Sequence, residues 1–199
     1  MTAFGALLAL VVSATPEPLV EVVSVIPEAV VDLRYATPDN FMKRQVYPAG
    51  ARCLLVRGVA ERLKRASDAL RAQGFRLKLY DCYRPHSVQW ALWKVMPKPG
   101  YVADPRTGSN HNRGTAIDLT LVRLDGSAVE MPSGYDEFSP SAHHGFAGGT
   151  EASRKHREVL RAAMERAGFT RNRMEWWHYD APSPRSFPLR DEPFVAPAK

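Results

Sequence analysis

The run Ala116-Ile117-Asp118-Leu119-Thr120-Leu121-Val122 constrains this chain more than any other stretch. A single charge among apolar and β-branched residues is the composition of a strand. Strand side chains alternate between faces, so Ile117, Leu119 and Leu121 share one face, and Ala116, Asp118, Thr120 and Val122 share the other. Asp118 therefore points away from the most apolar face, as a side chain lining a cleft does. Seven residues before it stands His111, in a polar, glycine-containing stretch (101–113) that reads as a loop. An imidazole and a carboxylate at the mouth of an apolar strand are two good ligands for a borderline metal. A third candidate lies in Glu175-Trp176-Trp177-His178.

The remaining elements are legible around that strand. Weak alternation over 19–35 predicts extended segments, and Pro38, Asn40, Pro48 and Gly50 mark a loop over 36–52. Val56, Val59, Ala60, Leu63, Ala66 and Leu70 recur at three- and four-residue steps, predicting a helix over 54–73 that Gly74 ends. Phe75, Leu77 and Leu79 alternate with Arg76, Lys78 and Tyr80, a half-buried strand that delivers Asp81-Cys82-Tyr83-Arg84-Pro85 at its end. Pro85 forces Arg84 into an extended conformation, and a short helix is expected over 86–96. Residues 123–152 form a long glycine-containing segment, of the kind that is usually functional or disordered. A helix is expected over 153–168, then a strand from Phe169 to Tyr179 carrying the Glu-Trp-Trp-His run, and a proline-rich tail wrapping the surface. Helices and strands come in runs without strict βαβ alternation. The fold class is therefore α+β: one domain with a small, mostly antiparallel sheet and flanking helices.

Bulk properties narrow the function classes. At 199 residues the chain suits one domain with a real core, and its balance of 45% hydrophobic and 24% charged residues is that of a soluble globular protein. The net charge of +6 comes from scattered Lys and Arg without a dense basic run, which argues against nucleic acid and suits work near anionic envelope polymers. Residues 1–18 are expected to be an export signal or a disordered start, with 19–199 as the single domain. The apolar run to Val12-Ser13-Ala14 suits a signal-peptidase site, although no basic residues precede it. That run is too short to span a membrane, so no integral membrane segment is expected. A periplasmic or otherwise exported location is the expectation, with the cytoplasm as the alternative. Cys53 and Cys82 suit one disulfide in an exported protein and buried thiols in a cytosolic one.

Two His and one Asp leave a zinc ion with net charge +1 and an open fourth position, the composition of a hydrolytic rather than a structural site. Zinc lowers the pKa of water towards ~7, and a nearby carboxylate that is not a ligand can take the water's proton and pass it to a leaving amine. Glu175, three residues before His178, is placed for that role by sequence. Residues three apart on an ideal strand face opposite ways, so the backbone between them must twist or end.

Ser109-x-His111-x-x-Gly114-x-Ala116-x-Asp118, together with Glu175-x-x-His178, resembles the VanX-type zinc D-Ala-D-Ala dipeptidases, a group that shares its fold with the Hedgehog signalling domain. Asp81-x-Tyr83-Arg84-Pro85 and the Ser139–His144 region are similar to the same family, and the likeness runs from about Tyr35 to Tyr179. The resemblance implies one zinc ion per chain held by His111, Asp118 and His178, with Glu175 as general base. It implies Arg84 as the group that stabilises the tetrahedral intermediate, and Tyr35, Asp81, Ser109 and Asp136 as residues that shape a dipeptide pocket; the Asp136 carboxylate is a suitable partner for a free substrate ammonium. His143 and His144 are surplus to the zinc and are expected to be structural. The activity so implied is hydrolysis of D-alanyl-D-alanine to two D-alanines. Two alternatives stand beside it: a D,D-carboxypeptidase acting on muropeptide stems, and a non-enzymatic cell-wall-binding module with a structural zinc. Neither Glu175 nor Arg84 is needed by a module of that last kind.

Overall fold

A computed structural model describes residues 17–194, so the expected export signal lies almost wholly outside the described residues. Its elements are β1 (Leu19–Glu21), β2 (Val30–Val31), β3 (Leu54–Val56), α1 (Arg57–Arg71), β4 (Phe75–Asp81), α2 (His86–Val95), β5 (Ala116–Arg123), α3 (Glu151–Arg166), β6 (Thr170–Arg171) and β7 (His178–Asp180). Short 3-10 turns stand at Val22–Ser24, Arg34–Ala36, His111–Arg113, Pro140–Ala142 and Pro184–Ser186. Five strands form one sheet in the order β2-β4-β5-β7-β6, parallel between β2 and β4 and antiparallel elsewhere; β1 and β3 pair separately. The α+β arrangement matches the expectation from sequence.

Helix α1 forms because Val59, Ala60, Leu63, Ala66 and Leu70 fall on one stripe, and all are buried. Leu54–Val56, expected as its first turn, is instead strand β3, with Leu19 opposite Val56 and Val20 opposite Leu55. An apolar strand running straight into an apolar helical stripe leaves no break in hydrophobicity to mark the boundary. Val22–Ser24 and Arg34–Ala36 likewise interrupt the extended segments expected over 19–35.

The main core gathers Leu63 and Leu70 of α1, Leu77 and Leu79 of β4, Ile117, Leu119 and Leu121 of β5, and Leu160 and Met164 of α3. Each fully buried leucine among them contributes about 2 kcal/mol of hydrophobic free energy. Every residue of β5 except Arg123 is buried, because loops cover the face that carries Asp118. A second cluster of Tyr35, Met42, Tyr47, Leu92 and Val102 packs α2 against the 36–52 loop.

The largest departure from the sequence reading concerns 169–179. Only Thr170–Arg171 and His178–Asp180 are strands, paired as an antiparallel hairpin, and residues 172–177 form the turn between them. Glu175 is therefore on a turn, which resolves the facing problem posed by its three-residue spacing from His178.

Cys53 and Cys82 form a disulfide across a separation of 29 residues. Closing a loop of that length restricts the unfolded chain by roughly 3.5 kcal/mol on the chain-entropy account. The bridge fixes the end of β4, where the chain turns towards Arg84.

Candidate metal centre

Three neighbouring strands bring the site together. In the sheet register Asp81 of β4 lies opposite Asp118 of β5, and Asp118 lies opposite His178 of β7. His111 joins them from the 3-10 turn before β5. The chain passes from that turn into the strand through Gly114 at φ +68, where a Cβ would meet the Leu19 side chain at 2.5 Å. Glycine alone fits both the left-handed backbone and the space.

The three expected ligands converge. His111 Nε2 lies 3.2 Å from His178 Nδ1 and 3.3 Å from Asp118 Oδ1, and His178 Nδ1 lies 3.0 Å from the same oxygen. Bonds of 2.0–2.1 Å in tetrahedral geometry give ligand-to-ligand edges of about 3.3 Å, so this donor set fits a zinc-sized cation. The second nitrogen of each ring is already committed. His111 Nδ1 faces the Cys82 carbonyl at 2.7 Å, and His178 Nε2 faces Asp180 Oδ1 at 3.0 Å, leaving His111 Nε2 and His178 Nδ1 turned towards the common centre. The Tyr135 hydroxyl donates to the remaining Asp118 oxygen at 2.9 Å. Burial lowers the His178 pKa, but Asp180 and Asp118 outweigh it and hold the ring well above the usual histidine range. This pocket favours positive charge, carried by a proton or by a metal.

Glu175 stands beside the triad without joining it. Its Oε2 lies 3.9 Å from His178 Nδ1 and accepts a hydrogen bond from Asn172 Nδ2 at 2.7 Å. Burial pushes its carboxyl up to about 8, with Asp118 and Asp136 adding to the rise and His178 and Arg84 opposing it. A carboxyl raised into the neutral range suits a group that accepts and returns a proton.

Arg84 is held rigidly. Its Nε and Nη2 donate to Asp81 Oδ2 at 3.0 and 2.6 Å, and Nη1 donates to Gln89 Oε1 at 2.7 Å, with the guanidinium 5.1 Å above the Tyr35 ring. One N–H on each terminal nitrogen is not used by Asp81 or Gln89, and Arg84 lines the cleft.

Asp81, expected to help shape the dipeptide pocket, is fully buried and absent from the cleft lining. Its Oδ1 accepts from the Tyr47 hydroxyl and the Cys82 N–H, and its Oδ2 from Arg84. A carboxylate with every oxygen engaged has nothing to offer a substrate, and its contribution is to aim Arg84. Tyr35, Ser109 and Asp136 do line the cleft, which has a volume of about 320 Å³, at the small end of the ~300–1,000 Å³ usual for small-molecule sites. Asp136 holds a left-handed backbone at φ 58 and accepts from the Phe41 N–H at 3.2 Å and the Tyr35 hydroxyl at 3.5 Å. Burial pushes its carboxyl up to about 7; Asp118 adds, while the Phe41 N–H, Arg84 and the Tyr35 hydroxyl oppose. A cation placed against it would restore its charge. Phe41 packs edge-on against Phe138, with ring centroids 5.3 Å apart, and both rings line the cleft.

His143 and His144 stay outside the triad. His144 is buried with neither ring nitrogen bonded, and burial, reinforced by Arg171 and Arg157, lowers its pKa to about 4. Sequence patterns alone do not single out Asn172, Tyr135, Gln89 or Asp180. Strand alternation does place Asp180 on the same face as His178, two residues on. Tyr135 and Gln89 carry no comparable signal, because they reach the site only through tertiary packing.

Residues 16–195 match the family model described as D-ala-D-ala dipeptidase, peptidase family M15. A D-alanyl-D-alanine dipeptidase of Escherichia coli (strain K12) is 37% identical over 88% of this chain and 91% of its own length. One from Enterococcus faecium is 38% identical over 82% of this chain and 87% of its own length. One from Streptomyces coelicolor (strain ATCC BAA-471 / A3(2) / M145) is 32% identical over 74% and 83%.

Proposed function

We propose, from the premise that this chain belongs to the D-Ala-D-Ala dipeptidase family of metallopeptidases, that it hydrolyses D-alanyl-D-alanine using one zinc ion held by His111, Asp118 and His178. The observation that carries the reading is the triangle of ligand atoms with the buried Glu175 carboxylate beside it in one cleft with Arg84. When bound, the metal supplies Lewis acidity, lowering the pKa of water and polarising the scissile carbonyl.

The protein's own groups do the rest. Asp136 takes the substrate ammonium, with the Tyr35 hydroxyl and the Phe41 N–H fixing the carboxylate. Ser109 borders the cleft beside the metal loop, its Oγ accepting from the His111 N–H at 3.2 Å. Glu175 Oε2 takes the proton of the attacking water and delivers it to the departing amine, so the proton count closes within one turnover. Arg84 offers N–H groups not taken by Asp81 or Gln89 to the oxygen that gains charge as the carbonyl carbon becomes tetrahedral.

The Asp136 carboxylate on the cleft lining supports a free dipeptide over a longer stem, because an acylated amine has no positive charge to offer it. Incubation of the zinc-loaded protein with D-Ala-D-Ala and, separately, with a pentapeptide ending in D-Ala-D-Ala tests this. Release of D-Ala from the dipeptide is expected; release from the pentapeptide alone would establish the carboxypeptidase instead, and release from neither a binding module. Arg84→Ala is expected to lower kcat by about 10²–10³ with little change in KM. A change confined to KM would place Arg84 in ground-state binding.

We also infer an exported enzyme of cell-wall peptide metabolism. The Cys53–Cys82 disulfide supports an oxidising compartment. No helix among the described residues is long and apolar enough to cross a membrane. Cell fractionation that finds the reduced protein in the cytosol would overturn this inference.

A further inference from the structure

The Glu175 carboxylate is buried, yet among the described residues a single hydrogen-bond donor reaches it, Asn172 Nδ2 at 2.7 Å. A glutamate on a turn has three side-chain torsions to fix, and the last is a soft rotation of the carboxylate itself. Something must hold it if one oxygen is to face the metal ligands.

Asn172 is itself fixed by two further bonds. Its backbone N–H donates to the His178 carbonyl at 3.0 Å, closing the β6–β7 hairpin. Its Oδ1 accepts from the Met174 N–H at 3.0 Å, an Asx turn that shapes the 172–177 segment. With Oδ1 so engaged, the amide has one sense: a flip would set Oδ1 against the carboxylate and Nδ2 against an N–H, losing both bonds. Nδ2 must therefore face Glu175. The oxygen it grips, Oε2, is the one that lies 3.9 Å from His178 Nδ1.

We propose that Asn172 is a positioning residue for the reaction: it converts the geometry of the hairpin turn into the orientation of the Glu175 carboxylate. Asn172 also lines the cleft that holds Glu175 and the metal ligands. The inference rests on Glu175 being the general base.

Two variants separate positioning from turn formation. Asn172→Ser keeps an uncharged acceptor for the Met174 N–H but is too short to reach Glu175. Asn172→Asp keeps the acceptor at the native length and replaces the donor with a carboxylate oxygen. Both are expected to lower kcat by about 10- to 100-fold, the scale of a misplaced reacting group, with KM, zinc content and thermal midpoint near wild type. Crystal structures of the variants are expected to show the Glu175 carboxylate rotated away from the metal ligands while the 172–177 backbone is unchanged. A kcat within about threefold of wild type in Asn172→Ser, or an undisturbed Glu175 in its structure, overturns the proposal. So does loss of zinc or of the folded state in Asn172→Ser, which assigns Asn172 to the turn alone. Glu175→Gln run alongside distinguishes the two failures: full activity there removes the general base itself, whereas an inactive Glu175→Gln beside an active Asn172→Ser removes only the positioning role.

Discussion

Glu175→Gln is expected to keep its metal and lose turnover by a factor of about 10²–10⁴, the range removed with a general base. The substitution preserves shape and leaves His111, Asp118 and His178 in place, so zinc content measured on the purified variant should equal that of wild type. The Asn172 amide can still donate to the carbonyl oxygen of the substituted side chain, and the turn survives. What disappears is the capacity to take a proton. Burial pushes the native carboxyl up to about 8, which strengthens it as a proton acceptor. Release of D-Ala at a near-normal rate by the metal-loaded variant would remove Glu175 from the chemistry.

His111→Ala is expected to have the opposite signature, with metal and activity lost together. Two ligands remain, Asp118 and His178, and neither can compensate, because each is already held from behind by Tyr135 and Asp180. The variant also leaves the Cys82 carbonyl without its imidazole partner. A ligand that binds only the folded state adds about 4 kcal/mol of stability at a thousand times its dissociation constant. Chelation should therefore lower the thermal midpoint of the wild type and leave that of His111→Ala where it is. A His111→Ala protein that retains stoichiometric zinc would refute the ligand role.

Legibility from sequence follows the range of the interactions involved. Alternation in β4 and β5 and the three-to-four spacing in α1 are local, and those elements stand where expected apart from the first turn of α1. The side on which Asp118 lies is readable from alternation alone. The boundary at Val56 is hidden because strand and helix there bury the same kind of residue, and only pairing with Leu19–Glu21 distinguishes them. The 169–179 segment misleads for a related reason: Trp176 and Trp177 are core residues, but they enter the core from a turn. At the site, His111, Asp118, His178 and Glu175 stand out as ligands and a base, whereas Arg84 and Asp81 take their expected roles from the family resemblance. Spacing does not reveal which way a buried carboxylate such as Asp81 faces. Asn172 and Tyr135 announce themselves only as hydrogen bonds across the folded chain.

The direct opposition of Asp118 and His178 across β5 and β7 has a consequence for how the chain finds its structure. Strand β7 is three residues long, too short to fix its own alignment strongly. A slip of one residue would send the His178 ring to the other face of the sheet. Only the native alignment presents two imidazoles and a carboxylate to one cation, so the free energy of metal binding accrues to that alignment and to no other. The ion that serves catalysis would thus also proofread strand pairing, and metal supplied during refolding should raise the yield of correctly aligned protein.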